Sequence, residues 1–329
     1  MNLLVINYGA IGKRHAKNVK ELGHNVVLLR HSKNNPNKDG LKEYHLLEEA
    51  IENEEINGAI VCSPTSKHYD DVKLLIKHKI PFLLEKPSTH DFKSTISLQK
   101  MLKNKNFLKY DIAYNLRNHP ILKFIKNFLP NLGEIYSAYI YVGYYLPYWR
   151  KNVDYRNTIS AKKELGGGVH IEMVHEIDYI LWFFGMPERV IGYVNKISNL
   201  EISSEDICSA MFQYKNGLIV ELHLDYLSHK YLRGCRIIAQ KGTLEWDWNL
   251  GKVLYTEKGK KQEKKIFSIK KEYDLNDTYI EEVKKFLDII NGKSNGNITM
   301  LETAEVMRIL EAIKISSKTK KWIDLKEIK

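Results

Sequence analysis

Short apolar runs alternate with amphipathic stretches through the first third of the chain. Leu3–Ile6, Asn25–Leu29, Asn57–Cys62, Phe82–Lys86 and Lys109–Tyr114 have the length of strands. Between them, helical periodicity covers Lys13–Leu22, a run from Ser66 to about Lys79, and another from Asp91 to about Lys103. Near-continuous apolar runs suit strands buried on both faces, as in parallel sheets. Strand and helix in alternation predict a doubly wound parallel α/β sheet, with Asn115 closing a first domain, 1–115, and leaving 116–329 as a second.

After Asn115 the rhythm changes. A helix is predicted over Asn118–Phe128, an aromatic-rich strand over Glu134–Tyr144, then a long loop, Tyr145–Arg156, mixing aromatic rings with Arg and Asp. Gly166-Gly167-Gly168 releases a helix over Val169–Phe184. Short alternating segments follow at Val190–Lys196, Cys208–Tyr214, Leu218–Tyr226, Arg236–Gln240, Thr243–Trp248 and Val253–Thr256, with a hairpin turn at Lys215-Asn216-Gly217. They predict a mainly antiparallel open sheet, one face packed on helix 169–184. Its other face would carry Tyr226, Trp246 and Trp248 and join copies into a homo-oligomer, a dimer or tetramer. Two helices close the chain, Thr278–Ile290 and Met300–Ser316, the latter with a Thr299/Glu302 capping box.

Composition narrows the classes. A length of 329 residues favours two domains, and 43% hydrophobic with 28% charged residues is ordinary for a globular protein. Cys62, Cys208 and Cys235 are scattered without C-x-x-C, which excludes a cysteine zinc site and predicts a reducing, cytoplasmic setting; no metal is expected. No apolar run approaches the roughly 20 residues of a membrane span, and the N-terminus opens directly into a strand without the features of a signal peptide. The net charge of +11 raises nucleic acid as a partner, but the lysines are spread over helices and the 256–271 segment, and no aromatic-basic module emerges. A solvated lysine-rich surface accounts for them, with anionic substrates as the second explanation.

The candidate chemistry gathers at predicted strand ends, where open α/β sheets bind ligands. Pro81-Phe82-Leu83-Leu84-Glu85-Lys86-Pro87 delivers a lysine just beyond a buried strand. Pro87 ends the pairing there, and a Lys-Pro bond is able to be cis. Alone, such a lysine is more often a surface residue of a loop. Asn7-Tyr8-Gly9-Ala10-Ile11-Gly12 stands between strand and helix, where a dinucleotide-binding turn belongs, although Asn7 replaces its first glycine. Asn tolerates unusual backbone angles, Gly9 lets the backbone approach a pyrophosphate, and the helix N-terminus offers amides to phosphate. The second strand lacks the acid that usually holds an NAD ribose. Arg30, Ser32 and Lys33 suit a 2′-phosphate instead, so NADP is expected to be preferred and NAD possible. The loop Ser63-Pro64-Thr65 with His68 follows the third strand and is expected to line the cofactor cleft. Glu172, His175 and Asp178 fall at three-residue steps on one predicted helix, close enough to interact, although a solvated polar face gives the same spacing.

Taken in order, the degenerate glycine turn, Ser63-Pro64-Thr65 with His68, Glu85-Lys86-Pro87, and Gly166-Gly167-Gly168 leading into an acid–His–Asp helix and an open sheet resemble the Gfo/Idh/MocA oxidoreductases over nearly the whole chain. The run from Tyr145 to Gly166 is similar to a branch associated with sugars of surface polysaccharides. The resemblance implies a hydride exchanged between nicotinamide and a sugar carbon, with Lys86 catalytic and His175 the acid/base. Glu172 stands where the family usually has Asp. It also implies that Trp149, Arg150 and Arg156 border the substrate. The candidate catalytic set is therefore Lys86, His175, Asp178 and Glu172. Candidate cofactor contacts are Asn7, Gly9, Ala10, Ile11, Gly12, Arg30, Ser32, Lys33, Ser63, Pro64, Thr65, His68, Glu85 and Lys86, and candidate substrate contacts are Tyr114, Arg117, Trp149, Arg150, Arg156 and His175. The expected partner is a small sugar, nucleotide-activated or acidic; no nucleic acid or membrane is expected. A protein that kept the fold to sense a cofactor or sugar, without turnover, is the alternative.

Overall fold

A computed structural model describes residues 1–31 and 37–328. In chain order the elements are β1 (Asn2–Ile6), α1 (Ala10–Glu21), β2 (Asn25–Leu29), β3 (Lys42–Tyr44), α2 (Leu47–Asn53), β4 (Gly58–Val61), α3 (His68–Lys77), β5 (Phe82–Glu85), α4 (Phe92–Asn104) and β6 (Tyr110–Ala113). These are followed by α5 (Pro120–Phe128), β7 (Ile135–Gly143), α6 (Val169–Glu172), α7 (His175–Phe184), β8 (Arg189–Asn195), β9 (Ile207–Gln213), β10 (Ile219–Asp225), β11 (Leu232–Ala239), β12 (Gly242–Asp247), β13 (Lys252–Glu257) and β14 (Lys264–Ser268). The chain closes with α8 (Asn276–Ile290), α9 (Met300–Thr319) and β15 (Ile323–Asp324). No helix of the described residues is long and apolar enough to cross a membrane.

Met1–Asn115 and Asp274–Ala304 form one compact unit, and Leu116–Tyr273 with Glu305–Lys329 form a second. The boundary at Asn115 matches the sequence reading, but the chain returns to the first unit for α8, which the sequence reading had assigned to the second domain. The cause is an apolar stripe. Val283, Phe286, Leu287 and Ile289 are buried with Leu3, Val5 and Ile60 of the sheet. Gly58 makes the approach possible, since a Cβ there would lie 2.7 Å from Ile290 Cδ1.

The first unit is a six-stranded parallel sheet of order β3-β2-β1-β4-β5-β6. Its central strands are buried on both faces, as their unbroken apolar sequences require. β3 and α2 were not anticipated, because Lys42-Glu43-Tyr44 has no apolar alternation and α2 is short and acidic.

The second unit holds a nine-stranded sheet, β14-β13-β12-β11-β7-β10-β9-β8-β15, in which only β7 and β10 run parallel. α5, α6 and α7 pack against it. Alternation sets the faces: Ala138, Ile140 and Val142 are buried, while Tyr139 between them is exposed. The outer edge of β8 is closed by α9, whose Ser316 and Ser317 hydroxyls accept hydrogen bonds from the Gly192 and Val194 amides. The expected aromatic area is not on the open face. Tyr226 and Trp246 are fully buried, because register places Trp246 between Cys235 and Val253 on the helix-covered side. The open face instead shows Tyr139, Tyr193 and Ile238.

One predicted helix is two. Met173, at φ −98° and ψ 33°, leaves the helical region, so α6 ends at Glu172 and α7 begins afresh at His175. The capping box was read correctly: Thr299 N–H donates to Glu302 at 2.9 Å and Glu302 N–H to Thr299 Oγ1 at 3.2 Å.

Inside the first unit His15, Glu85 and Glu282 bring one ring nitrogen and two carboxylate oxygens within 4.8 Å of one another. His15 Nε2 is 2.8 Å from Glu85 Oε1, and Glu282 Oε2 has no hydrogen-bond partner. Burial, then the charges of Glu85 and Asp111, push the Glu282 carboxyl well above its ordinary range. The folded chain therefore keeps a proton that the unfolded chain releases above about pH 4.3. Stability is lost as pH rises from there toward the folded value, by at most about 1.4 kcal/mol per pH unit. In chemical denaturation, wild type should lose stability relative to Glu282→Gln as the pH rises from about 5 toward neutrality. A difference that stays flat across that range contradicts the assignment.

Candidate functional site

In the first unit the candidate residues lie at the carboxyl ends of β1, β2, β4 and β5. Asn7 adopts φ 70°, the left-handed conformation that the missing glycine would otherwise supply. Its Nδ2 donates to the Cys62 carbonyl at 3.1 Å and its N–H to the Leu29 carbonyl at 2.8 Å, tying together the ends of three strands. Gly12 is needed by the fold: a Cβ there would lie 2.2 Å from the Asn7 carbonyl oxygen. Gly9 is not, since its nearest neighbour, Asn7 Nδ2, would be 3.5 Å from a Cβ. Its missing side chain leaves space at the start of α1 instead. Ala10 and Ile11 open that helix without a side-chain cap or a first-turn acid. An uncapped, acid-free N-terminus behind an open glycine fits an anionic pyrophosphate.

The other cofactor candidates divide. Arg30 is gripped by Glu43, with Nη1 at 3.0 and 3.1 Å from its two oxygens, so it is not the undivided cation the sequence suggests. Glu43 arrives on β3, which the sequence reading missed. Ser32 and Lys33 lie outside the described residues. Ser63 donates to Asp71 at 2.5 Å, and Asp71 also sits 3.0 Å from His31, whose pKa it raises. Asp71 is a buried joint between two strand ends that sequence reasoning did not pick out. Pro64 starts the short 3-10 turn Thr65–Lys67, so α3 begins at His68 and not at Ser66. His68 is a brace, not an exposed contact: it is 1% exposed, with Nδ1 2.9 Å from the Pro87 carbonyl and Nε2 2.9 Å from the Ser63 carbonyl. Glu85 likewise turns inward, to His15 and to the Lys86 amide at 3.2 Å. The Lys86–Pro87 peptide is cis, and Lys86 follows the last residue of β5. Tyr114, expected to meet substrate, is 1% exposed, and its hydroxyl is 3.1 Å from Thr303 Oγ1, so it belongs to the packing of this unit.

In the second unit α7 presents His175 as its first residue, 8% exposed. Glu172 ends α6 half-buried, so the acid and the His belong to two helices. Asp178, fully buried, is held by Arg117 through contacts of 2.7, 3.0 and 3.2 Å. The structure thus joins a predicted catalytic residue to a predicted substrate residue in one ion pair. Arg117 is occupied as a positioning group. Lys126 donates to the Trp182 carbonyl and secures the far end of the same helix.

A second pair was missed entirely. Glu176, beside His175 and 0% exposed, receives Arg233 of β11 at 2.7 and 3.2 Å and the Tyr179 hydroxyl at 3.3 Å. Burial alone would lower the Arg233 pKa, but the attraction of Glu176 overrides it and raises it. The Arg233 guanidinium lies 5.3 Å from the Trp248 ring, and Trp248 stacks on His119 at 5.0 Å. Burial, aided by Arg233, pushes His119 down to about 4. The signal in the sequence was an acid at 176 in line with Ile180 and Phe183, on the side that turns inward. His170 is similarly buried and pushed down to about 3.

The loop after β7 is anchored, not loose. Trp149 Nε1 donates to the Tyr144 carbonyl at 3.0 Å, and its ring meets buried Tyr226 edge-on at 5.2 Å. Arg156 is committed to Asp154 at 2.9 and 3.0 Å and to Glu201 at 3.3 Å. Arg150 is exposed.

Two family models match the chain. An oxidoreductase-family model with an NAD-binding Rossmann fold covers residues 1–110, and a GFO/IDH/MocA C-terminal-domain model covers residues 131–245. The rhizopine catabolism protein MocA of Rhizobium meliloti is 25% identical over 154 residues, 45% of this chain and 44% of that protein, so the match spans less than half of either. Among solved structures, a levoglucosan dehydrogenase in complex with NADH and levoglucosan superposes with a TM-score of 0.85 at 15% identity, covering 99% of both chains. The UDP-N-acetylglucosamine 3-dehydrogenase GnnA of Acidithiobacillus ferrooxidans gives 0.76 at 16% identity, covering 97% of this chain and 98% of that one. These identities speak to the fold alone. Taken with the left-handed Asn7 turn and the uncapped α1, the two family matches identify this chain as a member of the Gfo/Idh/MocA oxidoreductases, with an NAD-binding Rossmann unit at its N-terminus.

Proposed function

We propose that the chain is an NAD(P)-dependent dehydrogenase or reductase acting on a secondary alcohol or ketone of a sugar. The observation that carries this is the first turn of α1, uncapped and acid-free behind Gly9, in a chain that keeps both Lys86 and His175. The substrate is a nucleotide-activated or acidic sugar of the kind used in surface-polysaccharide synthesis. The fold neighbour named for a UDP-sugar supports this, as does exposed Arg150. A cytoplasmic site of action fits three buried free cysteines. Copies associate through the open sheet face bearing Tyr139, Tyr193 and Ile238; a monomer in light scattering counts against that.

The α1 amides, Asn7 and Gly9 would hold the dinucleotide, whose nicotinamide supplies the hydride acceptor or donor. In alcohol oxidation His175 takes the hydroxyl proton onto its imidazole, and in ketone reduction it returns a proton to the carbonyl oxygen. Lys86, which follows β5 in the first unit, is the second catalytic group of this proposal, a cation suited to polarising a substrate oxygen. Asp178 and Glu176 act through position: each is locked by an arginine, and both lie within one turn of His175 on α7. Glu172 closes the preceding helix and contributes to substrate contact.

Lys86→Ala and His175→Ala should each retain dinucleotide binding and lose about 10²–10⁴ in turnover. The double variant should lose little more than the worse single one. Reduced-nicotinamide absorbance with a sugar panel measures this. His175→Asn with normal turnover across pH removes His175 from the mechanism.

Cofactor choice centres on the end of β2. NADP is preferred in this proposal because no acid follows Leu29 there, while the Arg30–Glu43 pair tempers what Arg30 offers a 2′-phosphate. Glu43→Gln removes that competitor and should shift the ratio of the two dissociation constants toward NADP, whereas Arg30→Asp should shift it toward NAD. Titration of both dinucleotides decides. If neither variant changes the ratio, Arg30 does not select the cofactor.

A further inference from the structure

The second unit carries an open hollow of about 600 Å³ on the loop that follows β7, lined by Tyr144, Tyr148, Arg150, Lys151 and Asp154 among others. Its charges are not balanced. Asp154 faces it but is neutralised by Arg156, which also reaches Glu201. Among the described residues, Arg150 and Lys151 form no ion pair or hydrogen bond. Two consecutive cations without a partner among the described residues therefore line the hollow. The other chemistry is aromatic. Tyr148 is 53% exposed, and its ring packs against Tyr145 at 4.9 Å in a T-shaped pair and against His229 at 6.0 Å. The Tyr144 hydroxyl donates to the Tyr148 carbonyl at 3.2 Å. Trp149, between Tyr148 and Arg150, is anchored through its indole N–H to the Tyr144 carbonyl and through its ring to Tyr226.

Resting on the reading of the chain as a sugar oxidoreductase, and making its substrate class specific, we infer that this hollow receives the nucleoside-diphosphate part of the substrate. Arg150 engages a phosphate by its planar fork, and Lys151 adds a second point charge for the neighbouring phosphate. The exposed face of Tyr148 takes the planar base by stacking. Arg156, named beside Arg150 by the sequence, is excluded because its donors already face two carboxylates.

The test is calorimetric binding of UDP, uridine and inorganic pyrophosphate to the full chain. It requires no turnover, so it separates this assignment from the reading it rests on. UDP should bind at least about tenfold more tightly than uridine, because uridine lacks the charge that the cations meet. The Arg150→Gln/Lys151→Gln variant should weaken UDP and pyrophosphate by about 10–100-fold, and Tyr148→Ala should weaken UDP but leave pyrophosphate unchanged. Arg156→Gln should change none of them. A thermal melt matching wild type confirms that each surface variant is folded. Undetectable UDP binding, UDP binding indifferent to the double substitution, or pyrophosphate bound as well as UDP overturns the proposal. Turnover of some other sugar would still leave the oxidoreductase reading standing. UDP binding without turnover on any sugar would keep the hollow and remove the enzyme.

Discussion

The second unit is arranged around one buried ion pair, Glu176 with Arg233. Glu176 is fully buried, and Arg233 reaches it from the middle of the sheet. A carboxylate in such a place is tolerable only if a cation meets it with good geometry, and removing either partner leaves an uncompensated buried charge. The pair therefore locks α7 to β11. Because α7 begins at His175, one residue before Glu176, the same lock sets where the imidazole stands. The Arg117–Asp178 pair, two residues further along, adds a second restraint from the start of the unit. Such pairs specify position more than they add net stability.

The same logic sorts the charged candidates. Arg117, Arg30 and Arg156 each face a carboxylate, so their charge orders the protein's own loops and helices. His68 and Glu85 brace the strand ends of the first unit, turning toward carbonyls and His15 instead of outward. Among the described residues, the amide-lined start of α1 and the cations Arg150 and Lys151 of the loop after β7 are turned outward.

Much of this was legible. The parallel sheet could be read from unbroken apolar runs, and the glycine turn survived the change at Asn7 because Asn accepts φ 70°. The first boundary at Asn115 was marked by the change of rhythm. What escaped were long-range pairings. Nothing local in an apolar helical stripe says which core it joins, so α8 was given to the wrong unit until Gly58 was seen to admit Ile290. Arg233 lies 57 positions from Glu176, and Glu43 sits on a three-residue strand without apolar alternation. Tyr114, His68 and Arg156 were expected at the surface of a site because residue type suggests reactivity, whereas burial and partner decide it. The break at Met173 was hidden because the apolar spacing continues across it.

The claim that a buried pair, and not helix propensity, places His175 is open to one direct measurement. In a double-mutant cycle read by denaturant unfolding, Glu176→Gln and Arg233→Met should each cost about 3–5 kcal/mol. The double variant should cost far less than their sum, because it leaves no lone charge behind. Additive costs would show that the two residues do not depend on each other and would contradict the account.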